Sequence, residues 1–170
     1  MRFLKLSIIH SILGLAILAP IAYASTESEL VANLDVKQVQ CLADNIYHEA
    51  NGEPDDGKLA VALVTMNRVA SKGFPDTVCG VVYERGQFSW VNTKSRVNRE
   101  STRYKQIYSI AESTYINYRT MVDITKRSLY FHAVHVNPGW NLKRTIQLGR
   151  HVFYRKNDVQ ERGENVGGRP

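Results

Sequence analysis

Leu42-Ala43-Asp44-Asn45-Ile46-Tyr47-His48-Glu49-Ala50-Asn51-Gly52-Glu53-Pro54-Asp55-Asp56-Gly57 is the stretch whose reading decides how this chain folds. Its first half closes a helix. Upstream, Asp35 as N-cap with Gln38 at N3 reads as a capping box, and Leu34 with Val39 as a hydrophobic staple. Val36, Val39, Leu42, Ala43 and Ile46 then recur on one helical face. Asn51-Gly52 reads as a left-handed stop, and Pro54 suits the first turn of a second helix. From Leu59 to Val69 the chain is apolar nearly all round, the pattern of a helix buried in the middle of a domain. The stretch is an elbow between two packed helices.

That elbow carries two carboxylates. A carboxyl held at the edge of an apolar core has its pKa raised and can donate a proton near neutral pH, as cleavage of a glycosidic bond requires. An unbroken helix would set Glu49 and Glu53 on one face at i and i+4, but Gly52 and Pro54 separate their roles. Glu53 is placed to stabilise the positive end of the second helix, which leaves Glu49 as the candidate acid. A solvated or capping Glu49 is the plainer alternative. His48-Glu49 lacks the second His of a zinc-binding helix, because Gly52 holds that position. His132 and His135 have no third ligand near them in sequence. No metal or cofactor is predicted.

Further along, residues 71–76 read as a loop, 78–83 as a short apolar piece, and Arg85-Gly86 as a turn. Residues 92–103, with Lys94, Arg96, Arg99 and Arg103, read as a long exposed loop. Tyr104, Ile107, Tyr108, Ala111, Tyr115 and Tyr118 mark another helix, and residues 128–132 and 147–154 read as strands. With 170 residues, 44% hydrophobic and 22% charged, the chain is a globular protein of one folded domain, without repeats.

Arg2 and Lys5 precede an apolar run that ends in Ala22-Tyr23-Ala24, so residues 1–24 read as a signal peptide cleaved before Ser25, with a retained anchor as the rival. Residues 25–156 then form the functional domain and 157–170 a polar, flexible tail. The expected location is exported, periplasmic or extracellular, with no stable membrane insertion once the leader is removed. Cys41 and Cys79 can pair in such a compartment, two buried thiols being the alternative. The net charge of +6 is segregated: residues 25–56 hold 8 acids and one base, residues 57–156 hold 17 bases and 5 acids. A basic surface beside an acidic island suits a polyanionic substrate. Nucleic acid is the competing partner, disfavoured by export and by the lack of a base-reading motif.

Four ordered blocks carry a resemblance. They are Leu42-Ala43-x-x-Ile46-Tyr47-x-Glu49-Ala50-x-Gly52-Glu53-Pro54-x-x-Gly57; Ala60-Val61-Ala62-x-Val64-x-x-Asn67-Arg68-Val69; Phe74-Pro75-Asp76-Thr77-Val78-Cys79-Gly80-Val81-Val82-Tyr83 with Gly86-Gln87-Phe88-Ser89; and Ser128-Leu129-Tyr130-Phe131-His132 with Ile146-x-x-Gly149-x-His151-Val152-Phe153-Tyr154. Together they resemble the bacterial cell wall hydrolase family typified by the spore cortex-lytic enzyme. The resemblance implies an α+β fold, a mainly helical lysozyme-like or lytic-transglycosylase-like lobe with a small antiparallel sheet. It implies cleavage of the β-1,4 bond between N-acetylmuramic acid (MurNAc) and N-acetylglucosamine (GlcNAc) in peptidoglycan strands by a lytic transglycosylase. Glu49 falls on the catalytic carboxylate, the product is a 1,6-anhydro-MurNAc end, and no cofactor takes part. Asn51 departs from the Arg that commonly follows the motif's Ala. Gln87, Ser89, Tyr130 and His132 are the expected polar substrate contacts, and Phe88, Trp90 and Trp140 the expected sugar-stacking rings. The alternatives are a hydrolytic muramidase using Glu53 or Asp55 as a second carboxylate, and a non-catalytic wall-binding module.

Overall fold

A computed structural model describes residues 35–93 and 96–157. The expected signal peptide, the Leu34 half of the staple and the tail from 158 onward lie outside the described residues. Within them the class is the expected α+β, with four α-helices and one three-stranded antiparallel sheet. No helix among them is long and apolar enough to cross a membrane.

Helix α1 (Val36–Ala50) starts where its cap predicts: the Asp35 carboxylate accepts from the backbone N–H of Lys37 and Gln38 at 3.0 and 3.2 Å. Gln38 does not close a capping box. Its Oε1 accepts instead from the backbone N–H of Cys79 at 2.9 Å, because helix α3 (Val78–Tyr83) packs there. The Cys41–Cys79 disulfide joins the same two helices across 38 residues, a loop whose closure restricts the unfolded chain by about 4 kcal/mol. Nor does α1 end in a left-handed residue, since Asn51 stays right-handed at φ −54°. Gly52 is small for another reason: a Cβ there would stand 3.0 Å from an Arg150 guanidinium nitrogen.

Helix α2 (Asp55–Val69) is buried along nine successive residues from Ala60 to Arg68 and is the centre of the molecule. One side meets α1, α3 and helix α4 (Thr102–Asn117), through Val61 and Ala62 against Leu42, Ile46, Val82, Ile107 and Ala111. The other meets the sheet, through Ala60 and Val64 against Phe153, with Phe131, Ile146 and Leu148 around them. Thr102 and Arg103, expected in a loop, belong to α4, because the Ser101 hydroxyl accepts from the N–H of Tyr104 and starts the helix earlier.

The sheet is β1 (Tyr130–Ala133), β2 (Lys143–Leu148) and β3 (His151–Arg155), with β3 in the middle. The single strand expected over 147–154 is a hairpin. Gly149 takes φ +55° and the chain folds back through Arg150, so that Leu148 pairs with His151. A buried carboxylate holds this turn in place. Glu53, 4% exposed at its side chain, accepts from the Arg150 backbone N–H at 2.8 Å and from the Arg150 Nε at 2.6 Å. Burial pushes the Glu53 pKa up, but the Arg150 N–H and guanidinium outweigh it and hold the group below the ordinary carboxylate range. A Cβ on Gly149 would lie 2.1 Å from the Glu53 Oε2.

Gly149→Ala therefore meets both a disfavoured φ and an occupied space, and is expected to lower unfolding stability by about 2–4 kcal/mol in urea titration. Because the folded pKa of Glu53 is depressed, its contribution is complete above the unfolded-state pKa and is lost as pH falls through the folded one. Glu53→Gln should flatten that part of the acid-denaturation curve; an unchanged slope would count against the clamp.

Candidate active site

The last turn of α1 presents Tyr47, His48 and Glu49, all half-buried. The Glu49 carboxyl has no hydrogen-bond partner among the described residues. Burial raises its pKa, and the nearby Arg68 draws it part of the way back. Arg68, in the last turn of α2, is 5% exposed. Its Nε donates to the Leu129 carbonyl at 2.8 Å, while Nη1 is enclosed without a partner. Three rings lie against the guanidinium, Phe88 at 5.3 Å, Phe74 at 5.5 Å and Tyr130 at 6.0 Å. Burial pulls the Arg68 pKa down to about 10, against the opposing pull of Tyr130, Glu84 and Glu49. The Glu84 Oε2 is enclosed and unpartnered as well.

Two aromatic groups adjoin this centre. On the helical side Trp90 stacks on His48, ring centroids 4.1 Å apart, and its Nε1 donates to the buried Asn45 Oδ1 at 3.2 Å. Asn45 is itself held by Thr65 of α2. On the sheet side Tyr130, His132 and Tyr154 each lie within 6.0 Å of the Trp140 ring. The His132 Nδ1 faces the Ala133 carbonyl and therefore donates, and Nε2 shares a 2.9 Å hydrogen bond with the Tyr154 hydroxyl. Asn67 and Arg68 set where this strand begins. Asn67 Nδ2 donates to Asp123 and to the Ser128 carbonyl, and Tyr118 donates to Asn67 Oδ1.

The expected contacts divide accordingly. Phe88 is beneath Arg68, Trp90 is on the His48 wall, and Tyr130, His132 and Trp140 are together on the sheet. Gln87 is half-buried and Ser89 exposed, and neither side chain makes a hydrogen bond among the described residues. Glu53, expected as a possible secondary carboxylate, is instead committed to Arg150, and Asp55 pairs with Lys58 at 2.8 Å. Arg68, Asn45 and Tyr154 were not singled out for the site from sequence. For Arg68 a signal existed: a cation at the end of the mostly apolar run from Leu59 to Val69 is costly unless something nearby uses it.

The cell wall hydrolase family model matches residues 52–154, a stretch that begins three residues after Glu49. The chain is 30% identical over 122 residues to a spore cortex-lytic enzyme of Bacillus cereus and 32% identical over 118 residues to one of Oceanobacillus iheyensis, covering 68% of this chain in both cases. It spans about two fifths of those relatives, 43% and 40% of their lengths. Among solved structures it is similar to the catalytic domain of the Bacillus cereus SleB protein, with TM-score 0.57 and 29% identity over 69% of this chain and 89% of that one. It is also similar to the catalytic domain of the germination-specific lytic transglycosylase SleB of Bacillus anthracis, with TM-score 0.59 and 28% identity over 72% of this chain and 98% of that one.

Since burial raises the folded-state pKa of Glu49, its net contribution favours folding below the unfolded-state value and is lost as pH rises through the folded one. Glu49→Gln is therefore expected to fold, and to match or exceed the wild type in melting temperature at pH 7, with the difference vanishing at pH 4. A variant less stable at pH 7 would show that the carboxylate is a structural partner.

Proposed function

This chain belongs to the cell wall hydrolase family, and from that premise we propose that it cleaves peptidoglycan strands as a lytic transglycosylase. The bond is the β-1,4 link between MurNAc and GlcNAc. Glu49, protonated, gives its proton to the glycosidic oxygen as the bond to MurNAc C1 breaks, and GlcNAc leaves with a free 4-hydroxyl. The positive charge that develops at C1 is taken up by the C6 hydroxyl of the same MurNAc, which forms the C1–O6 bond and returns its proton to Glu49. The acid is restored and the product is a 1,6-anhydro end. Arg68 steadies the Glu49 carboxylate during the interval in which it is ionised. The rings on the two walls offer faces for sugars, Trp90 on one and Trp140 with Tyr130 on the other. The protein works outside the cytoplasm, after removal of residues 1–24, where the Cys41–Cys79 disulfide is at home.

One observation carries this reading. The half-buried, unpartnered carboxyl of Glu49 has a raised pKa, whereas Glu53 in the same elbow is locked to Arg150. A hydrolase needs a second carboxylate to activate water or attack the sugar; of the two expected for that part, Glu53 is locked to Arg150 and Asp55 is an exposed group paired with Lys58, which leaves Glu84, beside Arg68, as the carboxylate a hydrolase would have to use. A mechanism in which the substrate supplies its own nucleophile needs only Glu49.

Mass spectrometry of digested sacculi is expected to find anhydro-muramyl ends with wild-type protein and a loss of about 10²–10⁴ in rate with Glu49→Gln. Activity should fall as pH rises through the raised pKa of Glu49, since only its protonated form starts the reaction. Reducing ends would mean hydrolysis, and binding without release of fragments would mean a wall-binding module.

A further inference from the structure

We propose that the cleft beside His48 and Trp90 receives the carboxylate-bearing peptide attached to a muramyl residue of the bound strand, with Arg96 as its anion-binding side chain. This rests on the glycan-cleaving reading above and adds a determinant of which strands are taken. The cleft measures about 380 Å³ and is walled by His48, Tyr83, Trp90, Arg96, Val97 and Arg99, with Asp44 behind them. That is within the size range of small-ligand sites, roughly 300–1,000 Å³.

The position is right for a group hanging from the strand. His48 directly precedes Glu49 on α1, and Trp90 stands two residues beyond Phe88, which lies against Arg68. The walls are held before any ligand arrives. Trp90 is fixed by its stack on His48 and its bond to Asn45. Arg99 is fixed by Asp44, with Nη2 to Oδ2 at 2.7 Å, and Asp44 also accepts from the Tyr104 hydroxyl at 2.7 Å. The charge of Arg99 is therefore already matched. Arg96 is exposed and forms neither an ion pair nor a hydrogen bond among the described residues. It leaves one unmatched guanidinium at the rim of a cleft whose other walls are the rings of His48, Tyr83 and Trp90, the aliphatic Val97 and the mutually matched Arg99–Asp44 pair. A guanidinium binds a carboxylate through a two-pronged hydrogen bond. The combination suits a short peptide with small apolar side chains and carboxylates better than another neutral, hydroxyl-rich sugar.

Binding is measured with the full chain carrying Glu49→Gln, so that strands survive, using soluble glycan strands either bearing their peptides or stripped of them by an amidase. Adding Arg96→Ala is expected to weaken binding of peptide-bearing strands about 5- to 10-fold, a partly solvated charge-assisted contact, and to leave stripped strands unaffected. Arg96→Lys should recover part of the loss. An equal loss on stripped strands, which keep the free lactyl carboxylate, would assign the cleft to the glycan itself and overturn the proposal, as would no loss on either. The product ends formed by the wild type are read separately, so a failure of the transglycosylase reading is distinguishable from a failure of the cleft.

Discussion

A buried carboxylate paired with one arginine organises the rest of this molecule. Ionised and enclosed, Glu53 would be unfavourable by several kcal/mol if left alone. It is instead matched by a backbone N–H and a guanidinium nitrogen of Arg150, 97 residues further along. The chain is shaped to allow the approach. A side chain on Gly57 would meet the Glu53 Cβ at 2.9 Å, one on Gly149 would meet the carboxylate, and one on Gly52 would crowd Arg150. The pair fastens the helical elbow to the β2–β3 turn, so the helices and the sheet fix each other through a contact that neither could make alone.

Once the elbow is fastened, its two glutamates take opposite characters. They are four residues apart, yet Glu53 is held below the ordinary carboxylate range and Glu49 above it. Both are desolvated, and the difference lies in what answers the charge. Arg150 answers Glu53 directly with hydrogen bonds, whereas Arg68 reaches Glu49 only through its field. A carboxyl left in that condition is a poor contributor to stability and a suitable proton donor, and the surrounding clamp tolerates it.

Features governed by local periodicity were legible in the sequence. The stripe from Val39 to Ile46, the apolar run of α2, the Asp35 cap and the tyrosine-marked α4 all follow from helical spacing and short-range hydrogen bonding. The misread features depend on residues distant in the chain. Gln38 fits a capping box until Cys79 offers it a better donor. Gly52 fits a left-handed stop until Arg150 is seen beside it. Gln147 to Tyr154 fits one strand, because nothing adjacent to Gly149 tells that Glu53 will occupy the space where its side chain would be. Within the candidate site, Glu49 could be chosen from the apolar helix that carries it and from its place in the motif. The commitment of Glu53 to Arg150 could not, because it requires knowing where the hairpin turns.

Arg68 shows how far such a long-range arrangement can reach. Its guanidinium is flat, which lets Phe74, Phe88 and Tyr130 lie against it while its Nε still reaches the Leu129 carbonyl. A lysine would present a compact, strongly hydrated charge with no planar face for the rings, and no fixed donor for the carbonyl. Leu129 immediately precedes β1, so the same side chain that sets the field at Glu49 also sets where Tyr130 starts its strand. Asn67, one residue earlier, anchors the preceding loop through Asp123 and Ser128. Two adjacent residues at the end of a buried helix thus set a cation near Glu49 on α1 and fix the start of the aromatic wall on the sheet. Their polarity, out of place in the core of α2, is explained by those two roles.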